Sequence, residues 1–187
     1  MLPLSKELCP FDLAPTTSTA IQLIFGDVLS VALMKGKEFG LDDYALNHPA
    51  GSIGKKVTLK VDDIMLKGER LPICRPNDRL RDALVTLTNK QCGCVLIMGS
   101  DEKIQGIFTD GDLRRALQND AAAMLEKEMK DLMTSTFIST QKGILSWEVL
   151  RKMQENPNRR IMMMPILDKE NLVGLVRMHD IVKAGIN

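Results

Sequence analysis

Gly106-Ile-Phe-Thr-Asp-Gly-Asp-Leu-Arg-Arg-Ala-Leu117 runs from an apolar strand pattern through a polar turn into a helix pattern, and Gly174-Leu-Val-Arg-Met-His-Asp-Ile-Val-Lys-Ala-Gly185 does the same. Each is preceded by Asp-(Ile/Leu)-Met. Met65 precedes Gly106 by the same 41 residues by which Met133 precedes Gly174. A unit of about 68 residues is therefore repeated, and the two copies must be read together.

In the first copy Leu80, Ala83, Leu84 and Leu87 lie at helical spacing over Arg79 to Lys90. Val95-Leu-Ile-Met98 and Ile104 to Phe108 are short apolar runs of the buried-strand kind, and a helix follows from Asp110 to Leu117. The second copy keeps that order, with a helix at Trp147 to Gln154, strands at Ile161 to Leu167 and Leu172 to Val176, and a closing helix at Met178 to Ala184. Leu84 matches Leu150 and Leu87 matches Met153, two residues short of the register elsewhere, and the difference is regained at Glu155-Asn-Pro-Asn-Arg159. Length changes confined to loops are what two copies of one fold should show. The Ala- and Glu-rich residues 118–128 join the copies and carry a helical composition.

Upstream, Pro3, Pro10 and Pro15 bias residues 1–16 toward extended backbone. Thr16-Thr-Ser-Thr-Ala20 then offers N-cap hydroxyls for a helix from about Ser18 to Lys37. Its apolar side chains cover most of its circumference, so the helix is expected to be buried on several sides. It docks on the repeats, pairs with a second chain, or belongs to a domain whose remainder lies elsewhere. The run Ala20 to Met34 is broken by Gln22, Asp27 and Ser30 and is shorter than the about 20 residues a bilayer needs, so no membrane role is expected. Phe39-Gly40 signals the end of the helix, and Asn47-His-Pro-Ala-Gly-Ser-Ile-Gly-Lys55 reads as a loop.

With 187 residues, 44% hydrophobic, 26% charged and a net charge of +1, the chain is globular in composition. No basic surplus points to nucleic acid, and the arginine pairs at 79/81, 114/115 and 159/160 read as solvated faces balanced by acids. The four cysteines form neither a C-x-x-C pair nor a zinc spacing, so no metal is expected. Free thiols fit a reducing cytoplasm, and Cys92-Gly-Cys94 reads as a buried strand edge. The N-terminus lacks a signal-peptide layout. The twelve methionines, Met162-Met-Met164 among them, read as core filler.

Thr109-Asp-Gly-Asp112 sits where a strand ends and a helix begins. Such a junction can hold a hydroxyl-rich or anionic ligand, with Asp112 accepting from two sugar hydroxyls. T-x-x-D is equally a capping box for its own helix. The second copy keeps the acid as Asp180 but has Arg177 in place of Thr109 and His179 in place of Gly111. An arginine there can grip a phosphate or carboxylate, or pair with a surface acid. His48, in the loop before Pro49, titrates near neutrality and can move protons, although a lone loop histidine is commonly incidental.

The repeat resembles a tandem of CBS domains, the module named after cystathionine β-synthase. The Asp-Ile-Met start, the G-h-h-T-x-x-D-h ending (Gly106, Ile107, Phe108, Thr109, Asp112, Leu113) and the two-copy layout carry that resemblance over residues 61–187. It implies an α/β (α+β) fold of two β-α-β-β-α units, 61–117 and 129–187, related by a pseudo-twofold. It also implies clefts that bind adenine or other nucleotides, and T-x-x-D acids that hold ribose. That role passes to Thr109 and Asp112, and in part to Arg177, His179 and Asp180.

Lys6-Glu-Leu-Cys-Pro10, Leu13-Ala-Pro-Thr-Thr-Ser-Thr19, Gly26-Asp-Val-Leu-Ser-Val-Ala-Leu33 and His48-Pro-Ala-Gly-Ser-Ile-Gly54 are similar to the end of the sugar isomerase (SIS) domain of bacterial D-arabinose 5-phosphate isomerases. Residues 1–57 are then the helical remnant of such a domain. That family interconverts D-ribulose 5-phosphate and D-arabinose 5-phosphate on the way to Kdo and lipopolysaccharide, through an enediol and without a catalytic cofactor. The resemblance makes Glu7 and His48 members of its catalytic set. The phosphate-binding body, the lysine and the second glutamate would lie upstream, so this chain is not expected to isomerise sugar phosphates alone. Its expected partners are a regulatory nucleotide or CMP-sugar and further copies of itself, as a dimer or tetramer. The alternatives are a free-standing nucleotide sensor and a dimerisation module.

Overall fold

In the computed structural model of the chain, residues 4–47, 51–118, 121–155 and 161–186 are described. The chain divides into two compact units, Met1–Asn47 and His48–Asn187. The first holds α1 (Thr17–Gly36) and α2 (Leu41–Asn47). The N-terminus of α1 is satisfied from outside the helix. Glu7 Oε2 accepts from the Thr16 amide at 2.9 Å, the Thr16 hydroxyl at 3.1 Å and the Ser18 amide at 3.1 Å. The carboxylate thus takes the N-cap role expected of the hydroxyl cluster.

The expectation that α1 is buried does not hold, since none of its residues is buried, and Leu23 and Val28 are 68% and 62% exposed. All-round apolarity shows that a helix needs partners, but it cannot supply them. The helix is also longer than the apolar run within it. At 20 residues it is long and apolar enough to cross a membrane by length and composition, a test that core helices of soluble proteins also pass. Asp27, midway along, would cost about 3 kcal/mol in hydrocarbon.

The second unit opens with α3 (Ser52–Thr58) and α4 (Val61–Ile64), followed by a 3₁₀ turn at Gly68–Arg70. The first repeat continues as β1 (Ile73–Cys74), α5 (Leu80–Lys90), β2 (Cys94–Met98), β3 (Ile104–Thr109) and α6 (Asp110–Ala116). After α7 (Ala121–Leu125) and α8 (Met129–Leu132), the second gives β4 (Thr140–Gln141), α9 (Ser146–Gln154), β5 (Met163–Asp168), β6 (Asn171–Arg177) and α10 (Met178–Lys183). Each forms a three-stranded sheet in which the first strand pairs parallel with the second and the second antiparallel with the third. The β-α-β-β-α order is that expected. The two-residue strands β1 and β4 are too short for any periodicity to announce them.

Packing crosses the boundary between the repeats. Val61 and Met65 lie in a core with Val149, Leu150, Met153, Met164 and Ile181, all of the second repeat. Met129 lies in the other core, among Leu80, Ala83, Leu87, Val95, Ile97 and Phe108 of the first. Backbone ladders make the same exchange. Leu66 and Leu175 exchange N–H···O bonds of 2.8 and 3.0 Å, and Thr134 and Ile107 exchange bonds of 2.9 and 3.0 Å. The Asp-(Ile/Leu)-Met segment that begins each repeat therefore completes the sheet of the other. A third cluster joins Cys94, Leu96 and Ile107 of one sheet, with Leu71 after the 3₁₀ turn, to Leu175 of the other. Cys92 and Cys94 are buried free thiols, and burial pushes Cys94 up to about 12, so both serve as small apolar groups.

Candidate functional site

A cleft of about 770 Å³ lies at the C-terminal end of β3 and the start of α6. Its size suits a small organic ligand. One side is polar and comes from the first repeat through Thr109, Asp110, Asp112 and Arg115. The facing wall comes from the second, through Phe137, Ile138, Ile161, Met162 and Met163, with Lys152 and Glu155 at the end of α9. The bond pair between Thr134 and Ile107 brings the 134–138 segment against β3, so the exchange of segments is what builds the cleft.

Thr109 and Asp112 do form a capping box. Asp112 Oδ2 accepts from the Thr109 amide at 2.8 Å and hydroxyl at 2.7 Å, and the Asp112 amide reaches Thr109 Oγ1 at 3.3 Å. The other oxygen, Oδ1, is paired with Arg115, whose side chain is 70% exposed. Burial alone would raise the Asp112 pKa, but the Thr109 hydrogen bonds and Arg115 outweigh it and leave it below the usual carboxylate range. The cap and the ligand role are therefore compatible. The cap fixes the carboxylate as an anion through one oxygen, while the other is held only by a surface arginine that can move aside.

In the second repeat Arg177 takes the place of Thr109. Its Nε and Nη2 donate to Asp180 Oδ2 and Oδ1 at 2.6 and 2.8 Å, and Nη1 donates to the Gln91 carbonyl at 3.3 Å. The arginine is thus forked onto its own acid, and no side-chain cap closes α10. His179 is exposed on that helix. Glu7 stands in the N-terminal unit as the cap of α1, and hydrogen bonds from Ser18 and Thr16 hold its pKa down at about 2. His48 lies outside the described residues.

The CBS domain family profile matches residues 61–119 and 129–187. The chain belongs to the CBS-domain family. A CBS-domain-containing protein from Agrobacterium tumefaciens superposes with a TM-score of 0.60 at 24% identity, over 68% of this chain and 99% of that one. CBSX2 in complex with AMP does so at 0.58 and 22%, over 67% and 95%. These likenesses concern the fold. By sequence, the chain is 41% identical over 182 residues to the arabinose 5-phosphate isomerase KdsD of Escherichia coli, and 38% identical over 183 residues to that of Francisella tularensis. Each match takes in 97% of this chain and 54% of the relative, so the chain spans about half the length of the curated relatives it matches.

Sequence reasoning found the polar edge of the cleft and missed its facing wall. Met162 and Met163, read as filler, line it, as do Phe137, Ile138 and Lys152. The one available signal was the position of Thr134-Ser-Thr-Phe-Ile138 directly after Asp-Leu-Met133. Its meaning rests on the exchange between repeats, which no local pattern encodes.

Proposed function

We propose that this chain is the nucleotide-sensing part of an arabinose 5-phosphate isomerase. In this reading residues 1–57 are the end of the sugar isomerase domain, and 61–117 and 129–187 are the regulatory CBS pair. The observation that carries it is the cleft, where an ionised Asp112 faces an apolar wall of Phe137, Ile138, Ile161 and Met163 within reach of two cations, Arg115 and Lys152. A nucleotide presents a diol, a flat base and a phosphate, and each has a counterpart there. The AMP-bound fold relative and the KdsD relatives support the assignment. A nucleotide or CMP-sugar ligand and a sugar-phosphate substrate both belong to the cytoplasm.

In this reading the chain does not isomerise sugar phosphates alone, because it spans only 54% of the length of the isomerases it resembles. A thermal-shift series with AMP, ATP, CMP, CTP and CMP-Kdo, and ribulose 5-phosphate as control, tests the proposal. A bound nucleotide raises stability by about 2.7 kcal/mol at a hundredfold excess over Kd, and Asp112→Ala removes the shift. No shift with any of them, from a chain that melts cooperatively, overturns it. Turnover of ribulose 5-phosphate by the purified chain would defeat the statement on activity.

A further inference from the structure

The two repeats place equivalent groups at two sites. Cys94 pairs with Thr109 in one sheet as Met163 pairs with Arg177 in the other, so Arg177 and Asp180 stand where Thr109 and Asp112 stand. Leu66 bridges to β6 as Thr134 bridges to β3. Counting on from those bridges sets Glu69 opposite Phe137, and counting back from the paired strands sets Cys92 opposite Ile161. Both Phe137 and Ile161 line the open cleft. A second cleft would therefore lie between Glu69, Cys92, Arg177 and Asp180.

We infer that this second site is closed by the chain itself, with the Arg177 guanidinium as its resident occupant, so that the CBS pair takes one nucleotide and not two. The inference rests on the nucleotide reading of the first cleft. Three ties close the second. Both oxygens of Asp180 are taken by Arg177, leaving neither for a ligand diol. The same arginine reaches across to the Gln91 carbonyl, at the left-handed turn that ends α5. Beside it, Lys90 Nζ donates to the Glu69 carbonyl, joining the end of α5 to the 3₁₀ turn.

The contrast with the first cleft decides the asymmetry. Arg115 is 70% exposed and approaches Asp112 from solvent, so it can yield an oxygen at little cost. Arg177 is 30% exposed and engages through a two-nitrogen fork that is charge-assisted on both sides. A ligand that displaced it would leave a partly buried guanidinium without its acid. Thr109 caps a helix and takes only one oxygen of its acid. Arg177 takes both.

Two measurements test the closure. In equilibrium dialysis with AMP, the intact chain binds one equivalent, Arg177→Thr binds two, and Asp112→Ala with Arg177→Thr binds one. Two equivalents on the unaltered chain, or one on Arg177→Thr, overturns the inference. The second readout needs no ligand. Cys92 directly follows Gln91, whose carbonyl the guanidinium reaches, and is 4% exposed. In a Cys9→Ser background, Arg177→Ala raises the iodoacetamide labelling rate of Cys92 at least tenfold while Cys74, buried in the first core, stays unlabelled. Labelling of both would report general loosening and overturn the role of Arg177, as would an unchanged rate at Cys92. If AMP binds nowhere, the nucleotide reading fails for AMP, and the labelling still decides whether Arg177 closes the site.

Discussion

Met133 packs directly on Gly106, so that a β-carbon built on that glycine would stand 2.6 Å from its sulfur. The second repeat holds the mirrored pair, with Met65 Cγ 2.8 Å from a β-carbon on Gly174. Each methionine belongs to the segment that one repeat lends to the other. The glycines are required by close approach, because neither has a positive φ. Gly106→Ala and Gly174→Ala should each destabilise the fold by about 1–3 kcal/mol, the usual cost of overpacking. Urea unfolding of the two variants checks this, and a cost near zero would mean that the methionines are free to withdraw.

Thr109 caps α6 and orients Asp112. Thr109→Ala should cost about 1 kcal/mol of stability, as N-cap losses do, and should weaken nucleotide binding as well. Thr109→Ser, which keeps the hydroxyl, should restore both. Denaturant midpoints and AMP titrations of the two variants measure the pair of effects.

Glu7 has its pKa lowered from 4.5 to about 2, first by the Ser18 hydroxyl and then by Thr16. A group whose folded pKa is depressed lends stability that is present above its unfolded value and fades as pH falls through the folded one. The order of the α1 N-terminus should therefore be complete above pH 4.5 and decline toward pH 2. Amide exchange of Thr16 and Ser18 across that range reads it. In Glu7→Gln their protection should be lower at neutral pH and should show no such decline.

Ser146 has a fully buried hydroxyl without a hydrogen-bond partner among the described residues. Removing an unsatisfied buried polar group relieves its desolvation cost. Ser146→Ala should leave the melting temperature unchanged or raise it, by up to about 1 kcal/mol in stability. A drop of that size would show that the hydroxyl has a partner.

Leu23, Ile24, Phe25, Val28 and Leu29 of α1 are large apolar side chains left exposed, as at surfaces that associate. Sedimentation velocity should find concentration-dependent self-association of this chain, and Leu23→Lys with Val28→Lys should weaken it. A monomer at all concentrations would remove the case for an assembly role.

Repetition, element order and the polar half of the site were legible in the sequence, because a strand–turn–helix junction carries its own signal. An unbroken apolar run marks Val95–Met98 and helical spacing marks Leu80–Leu87 locally, and T-x-x-D announces both a cap and an acid at Asp112. What the chain lends between its repeats was not legible. Met65 and Met133 look like members of the units they begin, and only the folded sheets show each completing the other. The apolar wall of the cleft, from Phe137 to Met163, exists because of that exchange. The hydrogen-bond partners of Arg177 and Glu7 were also decided in three dimensions. A guanidinium can reach its own acid or another, and a carboxylate can cap one helix or none. Which it does depends on the partner within about 3 Å, and sequence spacing does not fix that distance.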